Sequence, residues 1–524
     1  MAQVILLNDL ITKRGSARYL APYLLSTHLT QHGFDTVVID WFTAKENFFD
    51  FLKQFLGPET LMVGLSSTFL QPPRTTEEHF QTEQMYWEGF LWKENVGEFR
   101  ESPTELRTLL DEYNPKAKIV IGGAKAMFGL DHADESGGAY QFVDYFILGT
   151  ADRAIVKFCQ QLHSGQTPPY IVNRGARIYA NRDDLVGNTC PKTRFEPYHA
   201  LQFGESLPIE ISRGCIYNCK FCRYDKMESI RKPINELQEE MTRNYETFGT
   251  SMYIFSDDCF NDSRGKVETV CEMFLKLPFK VEWISHVRVD VACRFPETLD
   301  LMVESGARAL HWGIESFSAK AARAAGKGTP PELVKEMLLN MKLKYGHRCL
   351  NEGSFITGLP HESRESLDET LDWVLTHEAL DTAVFFPLGL YPYHAGLDGT
   401  VLDYDEYSRN PEKYGFRKVS FDPVYWEHDW MNSNEATAIA DKMTRAWQHA
   451  GRRGYAIHIW DYPHLRTLGL THDEIVRLFK DPQYGAEMTD VINTRRTQFV
   501  ENYHLRLQQL WANKKTQTSA SYSP

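Results

Sequence analysis

"GCIYNCKFCRYD", Gly214 to Asp225, places three of the chain's nine cysteines within eight residues. Cys215, Cys219 and Cys222 form a C-x-x-x-C-x-x-C run with aromatics between them. Two chemistries use such a run. Structural zinc takes four ligands, usually as two close pairs, and no second pair stands in this chain, because Cys190 and Cys259 are lone residues. Iron–sulfur clusters are held by cysteine thiolates. Three thiolates on a four-iron cluster leave one iron open to a substrate or cofactor. Spacing alone leaves both chemistries open, and the place of the run in the fold bears on the choice.

Outward from the run, the pattern is regular. "PIEISR" (Pro208 to Arg213) reads as a strand that ends at the cysteine loop, and a helical pattern follows from Ile234. Further strand runs are "SMYIFSD" from Ser251, "KVEWISHV" from Lys280, "RALHWGIE" from Arg308, "CLNEGSFITG" from Cys349 and "TAVFFPLG" from Thr382. Six βα units in a row predict a barrel or partial barrel with its chemistry at the carboxyl-end loops. The cysteines sit on the first such loop.

The amino-terminal part alternates in the same way. "QVILLN" from Gln3, "DTVVID" from Asp35, "TLMVGLSS" from Thr60, "AKIVIGG" from Ala117 and "VDYFILG" from Val143 are buried-strand runs. Helical patterns at Tyr19 to Gln31 and from Asp152 accompany them. The alternation predicts an α/β domain with a doubly wound parallel sheet. Such sheets bind ligands beyond the carboxyl ends of their strands, where the chain offers Ser66, Ser67, Gly122, Gly123 and Gly149. Turn geometry alone would also favour glycine there.

These patterns divide the chain into a doubly wound domain (1–165), a hairpin and Pro-rich linker (166–207), a partial (β/α)6 barrel (208–390) and a mostly helical capping region with a polar, disordered tail (391–524). Amphipathic helices are expected from Ser433 to His449 and from Met488 to Trp511. The aromatic stretch from Pro72 to Ser102 is long for a connection. It reads equally as an insertion over a site or as a helix packed on the sheet.

Composition bounds the partners. Apolar residues make up 42% and charged residues 24%, as in soluble globular proteins. The formal net charge of −13 argues against a broad nucleic-acid surface. No apolar run is long enough to span a bilayer, and "MAQVILLNDL" lacks the pattern of a secretory leader. A cytoplasmic location is expected, where clustered thiols hold metal more often than they form disulfides.

With the barrel pattern in place, "RGCIYNCKFC" resembles the signature of the radical S-adenosylmethionine (SAM) superfamily. The resemblance extends in order through "YIFSDDCFND", "WISHVRVD", "ALHWGIESFS" with "AGKGTPPE", and "FITGLPHESRESLDETLDWV", over roughly Pro208 to Gly389. It implies a 4Fe-4S cluster on Cys215, Cys219 and Cys222, with SAM on the open iron. Reductive cleavage would then give a 5′-deoxyadenosyl radical that abstracts hydrogen from an unactivated C–H bond. A reducing electron donor of flavodoxin or ferredoxin type is implied with it. By position, Phe221 would lie against the adenine and Asp257 or Asp258 would meet the cofactor's amino group. Arg288 would meet its carboxylate or ribose, and Glu315 and Ser316 would reach the ribose. Lys327 has a family counterpart. The bland alternatives are loop packing for Phe221, a helix N-cap for the aspartates, and surface ion pairing or solvation for Arg288 and Lys327.

The first 162 residues resemble the cobalamin-binding domain that precedes the radical domain in one branch of this superfamily. The carrying stretches are "YLAPYLLSTHLTQHGFDTVVIDWF", "LMVGLSSTFLQ", "IVIGGAKAMF" and "DYFILGTADRAIVKF". Carriers with the D-x-H-x-x-G motif put histidine on cobalt after the first strand. This chain has "NDLITKRG", with Ile11 at the histidine position and Arg14 at the glycine position. Many members of the branch lack that histidine and still bind cobalamin, so the resemblance implies the cofactor with its nucleotide tail near Ser66, Ser67, Gly122, Gly123 and Gly149. The corrin would face the barrel mouth.

The implied activity is methylation of an unactivated carbon on a small-molecule or peptide substrate. The alternatives are a radical cyclase, oxidase or rearrangement enzyme without methyl transfer, and a non-catalytic cobalamin-binding protein. Methylthiolation of tRNA would call for a second cysteine set in the first domain, where only Cys159 stands.

Overall fold

The computed structural model describes residues 1–8, 11–12, 15–66, 70–71, 97–98, 103–123, 142–173, 176–179, 189–222, 229–390, 405–421, 424–450 and 458–520. Most of the aromatic stretch from Pro72 to Ser102, together with Ser67 and the segment 391–404, lies outside them. The chain forms two compact units, residues 1–205 with 494–524, and residues 206–493.

The first unit is built on a seven-stranded sheet. Its strands are β1 (Val4–Asn8), β2 (Thr36–Asp40), β3 (Met62–Ser66), β4 (Lys118–Gly122), β5 (Tyr145–Phe146), β6 (Tyr170–Asn173) and β7 (Ala176–Tyr179). The order across the sheet is β6-β7-β5-β4-β3-β1-β2. All neighbours are parallel except the hairpin β6–β7. The hairpin that the sequence suggests therefore extends the first sheet, with Ile178 beside Phe146. β1 and β2 are buried at every position, as a parallel sheet covered on both faces requires. Helices α1 (Leu20–Gln31), α2 (Pro103–Tyr113) and α3 (Ala154–His163) accompany it. The chain order reverses between β1 and β3, which makes a topological switch point at the carboxyl ends of those strands. Ser66 ends β3 opposite Gly122 of β4. Gly123 (φ +99°) and Gly149 (φ +71°) follow β4 and β5 in conformations that favour glycine.

Arg18 locks this unit from inside. It is buried and ion-paired to Asp40 at the end of β2 and to Glu205, and its guanidinium also bonds the Tyr23 hydroxyl. The guanidinium lies 4.9 Å from the ring of Tyr503, on the helix Pro482–Ala520, and 5.2 Å from that of Trp41. Tyr503 also donates from its hydroxyl to the Val38 carbonyl. The helix runs on into the polar tail whose composition suggested disorder.

The second unit is built on six parallel strands in sequential order, β8 (Leu207–Ile209), β9 (Met252–Phe255), β10 (Glu282–Arg288), β11 (Ala307–Glu315), β12 (Leu350–Thr357) and β13 (Thr382–Pro387). Helices α4 (Ile234–Phe248), α5 (Arg264–Lys276), α6 (Glu297–Glu304), α7 (Pro331–Tyr345) and α8 (Arg364–Thr376) connect them. Sequential order with a helix in each crossover curls the sheet into an open barrel. Trp283 and Phe255 stack at 4.8 Å and Phe255 meets Phe274 of α5, so these odd-numbered positions face the helices. His286 and Arg288 therefore face the barrel interior. Helix α9 (Ser433–His449) begins at a reciprocal cap between Asn432 and Glu435.

Replacing Arg18 with methionine leaves two carboxylates buried without their cation. We expect a loss of about 3–5 kcal/mol, read as faster hydrogen exchange at the β2 amides. Exchange at the wild-type rate would show that the ion pairs contribute nothing.

Candidate radical site at the mouth of the barrel

The cysteine loop leaves the barrel just after β8, and its entrance is braced by a buried amine. Asp257, beyond β9, accepts from the Ile211 N–H at 2.8 Å and the Ser212 hydroxyl at 2.7 Å. Lys266 of α5 bonds the same carboxylate at 2.8 Å and the Cys259 carbonyl at 3.0 Å. Both Asp257 oxygens are thus taken by protein donors. The acidic side chain that the sequence placed against a cofactor amine carries a protein amine here. Asp258 is half-buried beside it.

The far side of the loop is held by backbone contacts. The Lys220 N–H bonds the Ala325 carbonyl at 3.0 Å, and the Tyr407 N–H bonds the Lys220 carbonyl at 3.1 Å. Gly326 (φ +89°) lies so close that a Cβ would come within 3.1 Å of the Asn218 carbonyl and 3.2 Å of the Cys219 Cα. Glycine is required there by conformation and by space.

All nine cysteines are free thiols. Cys219 is buried, while Cys215, Phe221 and Cys222 are half-buried. The Cys259 thiol hydrogen-bonds Cys215 and, against the effect of burial, lowers its pKa to about 6. Among the described residues no three or more His, Cys, Asp or Glu side chains converge as ligands of one metal ion. Three thiols on one loop, one buried and two half-buried, are the donor type that an iron–sulfur cluster takes.

Around Cys219 the structure gathers several of the expected residues. Arg288, at the end of β10, donates from Nη1 to the Cys219 Sγ at 2.9 Å. Asp290 grips the same guanidinium at 2.9 and 2.6 Å. Burial pushes the Asp290 carboxyl up, but the bonds and charge of Arg288 outweigh it and hold the group below its usual range. Lys327 pairs with Glu315 at 3.1 Å and feels the charges of Arg288, Cys219 and Asp290. Glu315 ends β11 at φ +67°, left-handed for a non-glycine residue. A Cβ on Gly313 would come within 2.9 Å of the Glu315 carboxylate, so glycine makes room for this pair. Ser316 donates to Glu362 at 2.6 Å.

Sequence reasoning missed Cys259 as a partner of Cys215, and it missed Asn261, Asp290 and Glu362. It also missed a polar row one step deeper on the inner face. His286, His311 and Glu352 stand side by side on β10, β11 and β12. His311 Nδ1 lies 2.5 Å from Glu352 Oε1, and His458 Nδ1 lies 3.0 Å from Oε2. Burial raises the Glu352 carboxyl, but His458 and His311 outweigh it and hold it at about 2. His286 packs on His311 and Trp460 at 4.6 Å each. Burial, then the neighbouring His311, lowers its pKa well below the usual value. The legible signal was charge in mid-strand, as in "WISHVRVD", "ALHWGIE" and "CLNEGSF".

Residues 209–374 match the family model of the Radical SAM superfamily. The chain carries a radical SAM domain. A curated relative from Pyrococcus horikoshii, an uncharacterized methyltransferase, is 28% identical over 188 residues, 35% of this chain and 39% of the relative. The anaerobic magnesium-protoporphyrin IX monomethyl ester cyclase of Cereibacter sphaeroides is 22% identical over 322 residues, 57% of this chain and 51% of that protein. The chain thus spans about half or less of the length of these relatives. Among solved structures, the cobalamin-dependent S-adenosylmethionine radical enzyme OxsB with aqua-cobalamin bound shares the fold. Its TM-score is 0.55 at 13% identity, over 98% of this chain and 81% of that one.

Burial raises the Glu362 carboxyl to about 8, moderated by bonds from Ser316, Leu359 and Gly358. An unfolded glutamate titrates near 4.3. Between these values the folded chain keeps a proton that the unfolded chain has lost, so stability falls as pH rises, by at most about 1.4 kcal/mol per unit. Glu362→Gln removes this dependence. In anaerobic denaturant unfolding, its advantage over the wild type should widen from pH 5 to pH 8. Parallel profiles would show that Glu362 does not hold the proton.

Proposed function

We propose that the protein is a cobalamin-dependent radical SAM enzyme that methylates an unactivated carbon of a small-molecule or peptide substrate. The observation that carries this reading is the cysteine loop at the carboxyl end of the first strand of an open parallel barrel, with the Arg288 guanidinium on the Cys219 sulfur. When bound, a 4Fe-4S cluster on Cys215, Cys219 and Cys222 supplies the electron that splits SAM, fed by a flavodoxin- or ferredoxin-type donor. The protein's own groups bind, orient and shield. Glu315 and Ser316 stand at the end of β11 for the ribose, and Phe221 in the loop for the adenine. Lys327 and Asp290 fix the charge around Arg288.

In the first unit, Ser66 and Gly122 end β3 and β4, Ser66 beside the switch point, and Gly123 and Gly149 follow β4 and β5. Glycines without bulk next to a β-strand end fit a close-lying nucleotide tail, and Ser67 follows Ser66 in sequence. This is the place we assign to cobalamin. The motif position after β1 holds Ile11, which offers cobalt no imidazole. Pairing the two cofactor units in one chain supplies both things that methylation of an unactivated carbon needs, a radical and a methyl donor.

A second reading, radical cyclisation without methyl transfer, is favoured by the match to the Cereibacter cyclase over 57% of this chain. Two SAM molecules consumed per product, with a mass gain of one methyl, would support methylation. One SAM with no methyl gained would support the cyclase reading.

After anaerobic reconstitution we expect about four irons per chain and bound cobalt. Alanine at Cys215, Cys219 or Cys222 should abolish 5′-deoxyadenosine formation, while Cys259→Ala should retain the iron. Undiminished cleavage in any of the three cysteine variants, or zinc in place of iron, would sink the assignment.

A further inference from the structure

Arg288 is held from several sides near the cysteines. Its backbone N–H donates to the Asn261 side-chain oxygen at 2.7 Å, and its carbonyl accepts from the Asn261 amide at 2.9 Å. The guanidinium is forked by Asp290 through Nε and Nη2. Its Cζ lies 3.7 Å from the centroid of the Tyr217 ring. Tyr217 is itself tied from its hydroxyl to the Asp262 carbonyl at 2.9 Å. Asn261 holds the Arg288 backbone from the loop after β9, while Asp290, on the short helix Val289–Arg294 that follows β10, and Tyr217, on the cysteine loop, hold the planar group from two sides. The nitrogen left over, Nη1, points at the Cys219 sulfur at 2.9 Å. Arg288 is only 6% exposed, so water does not compete for that contact.

The fork that would meet an incoming carboxylate is already filled by Asp290. What the geometry delivers is one charge-assisted N–H on one thiolate. Hydrogen bonds to cluster sulfurs and local charge are levers on the potential of an iron–sulfur centre. Reduction adds an electron to the cluster and makes its sulfurs more basic. A fixed cation and donor at one sulfur therefore stabilise the reduced form more than the oxidised form.

We propose that Arg288 is a positioning residue that raises the reduction potential of the cluster through its bond to the Cys219 sulfur, with Asp290, Tyr217 and Asn261 holding it there. The inference rests on the reading that Cys215, Cys219 and Cys222 hold a 4Fe-4S cluster. It assigns Arg288 a task that needs no SAM in the site.

The test is a redox titration of the reconstituted full chain without SAM, followed by electron paramagnetic resonance. Arg288→Gln should keep its iron and shift the midpoint to more negative potential. Arg288→Lys, which keeps charge but lacks the planar fork, should shift it less in the same direction. A Gln variant with wild-type iron and an unchanged or more positive midpoint would overturn the proposal. A measurement on the unaltered protein guards against a variant that does not fold. With 15N-arginine incorporated, electron–nuclear double resonance on the reduced cluster should show a 15N coupling, and its absence would overturn the proposal. A wild-type chain that takes up no cluster would refute the underlying reading as well, whereas a normal cluster with an indifferent Arg288 refutes this inference alone.

Discussion

An ammonium group with no exposure to water, that of Lys266, holds the start of the cysteine loop. Burying a lysine is costly unless it is paired and fully bonded. Here it reaches the Asp257 carboxylate, the Ser212 hydroxyl and the Cys259 carbonyl, with Asp262 at 3.6 Å. Asp257 in turn holds the Ile211 amide and the Ser212 hydroxyl. The strand end that launches the loop, the loop after β9 that carries Cys259 and Asn261, and helix α5 therefore share one ion pair. The placement of Cys215, the Asn261 clamp on Arg288 and the bond to Cys219 all hang from that joint. The site's geometry depends on a salt bridge that touches none of the sulfurs.

From that joint the inner face of the barrel is layered. The upper layer holds Arg288 beside Gly313 and Ser354, with the room at Gly313 taken by the Glu315–Lys327 pair. The layer beneath holds His286, His311 and Glu352 in register, with Thr382 beyond. Period-two alternation puts these layers one step apart along each strand. The opposite face of the same strands carries Trp283, Phe255 and Trp312, which pack the core. A single strand such as β10 thus packs the core with odd positions and lines the barrel interior with even ones.

This division explains what was legible in the sequence. The strands were readable because their outward faces are apolar and their lengths fit a parallel sheet, and the place of the three cysteines, on the loop after the first barrel strand, followed from that pattern. The ion pair of Asp257 with Lys266 was not legible, because Lys266 reads in sequence as an ordinary helix lysine. Nothing local marks it as the one that turns inward. The pairing of Cys259 with Cys215 spans 44 positions and exists only because β8 and β9 are neighbours in the sheet. The His286–His311–Glu352 row needs the register of three strands, which no stretch of one strand can reveal. The first sheet's extension by the hairpin was likewise invisible, since β7 joins β5 through the single pair Ile178 and Phe146.

Strain points to the same region as the charges. Glu315, which ends β11, and His361, in the turn after β12, both adopt positive φ without being glycine. A left-handed non-glycine residue costs on the order of 1–3 kcal/mol and persists only where its surroundings over-determine it. For Glu315 they do, because the register slips between Gly313 and Glu315 and Lys327 captures the carboxylate. The turn then presents Ser316 to Glu362, which meets the Gly358 and Leu359 amides with its other oxygen. Glu362 directly follows His361, so both strained residues flank one hydrogen-bonded link between the ends of β11 and β12. The strain thus sits where the ends of β11 and β12 are joined through Ser316 and Glu362.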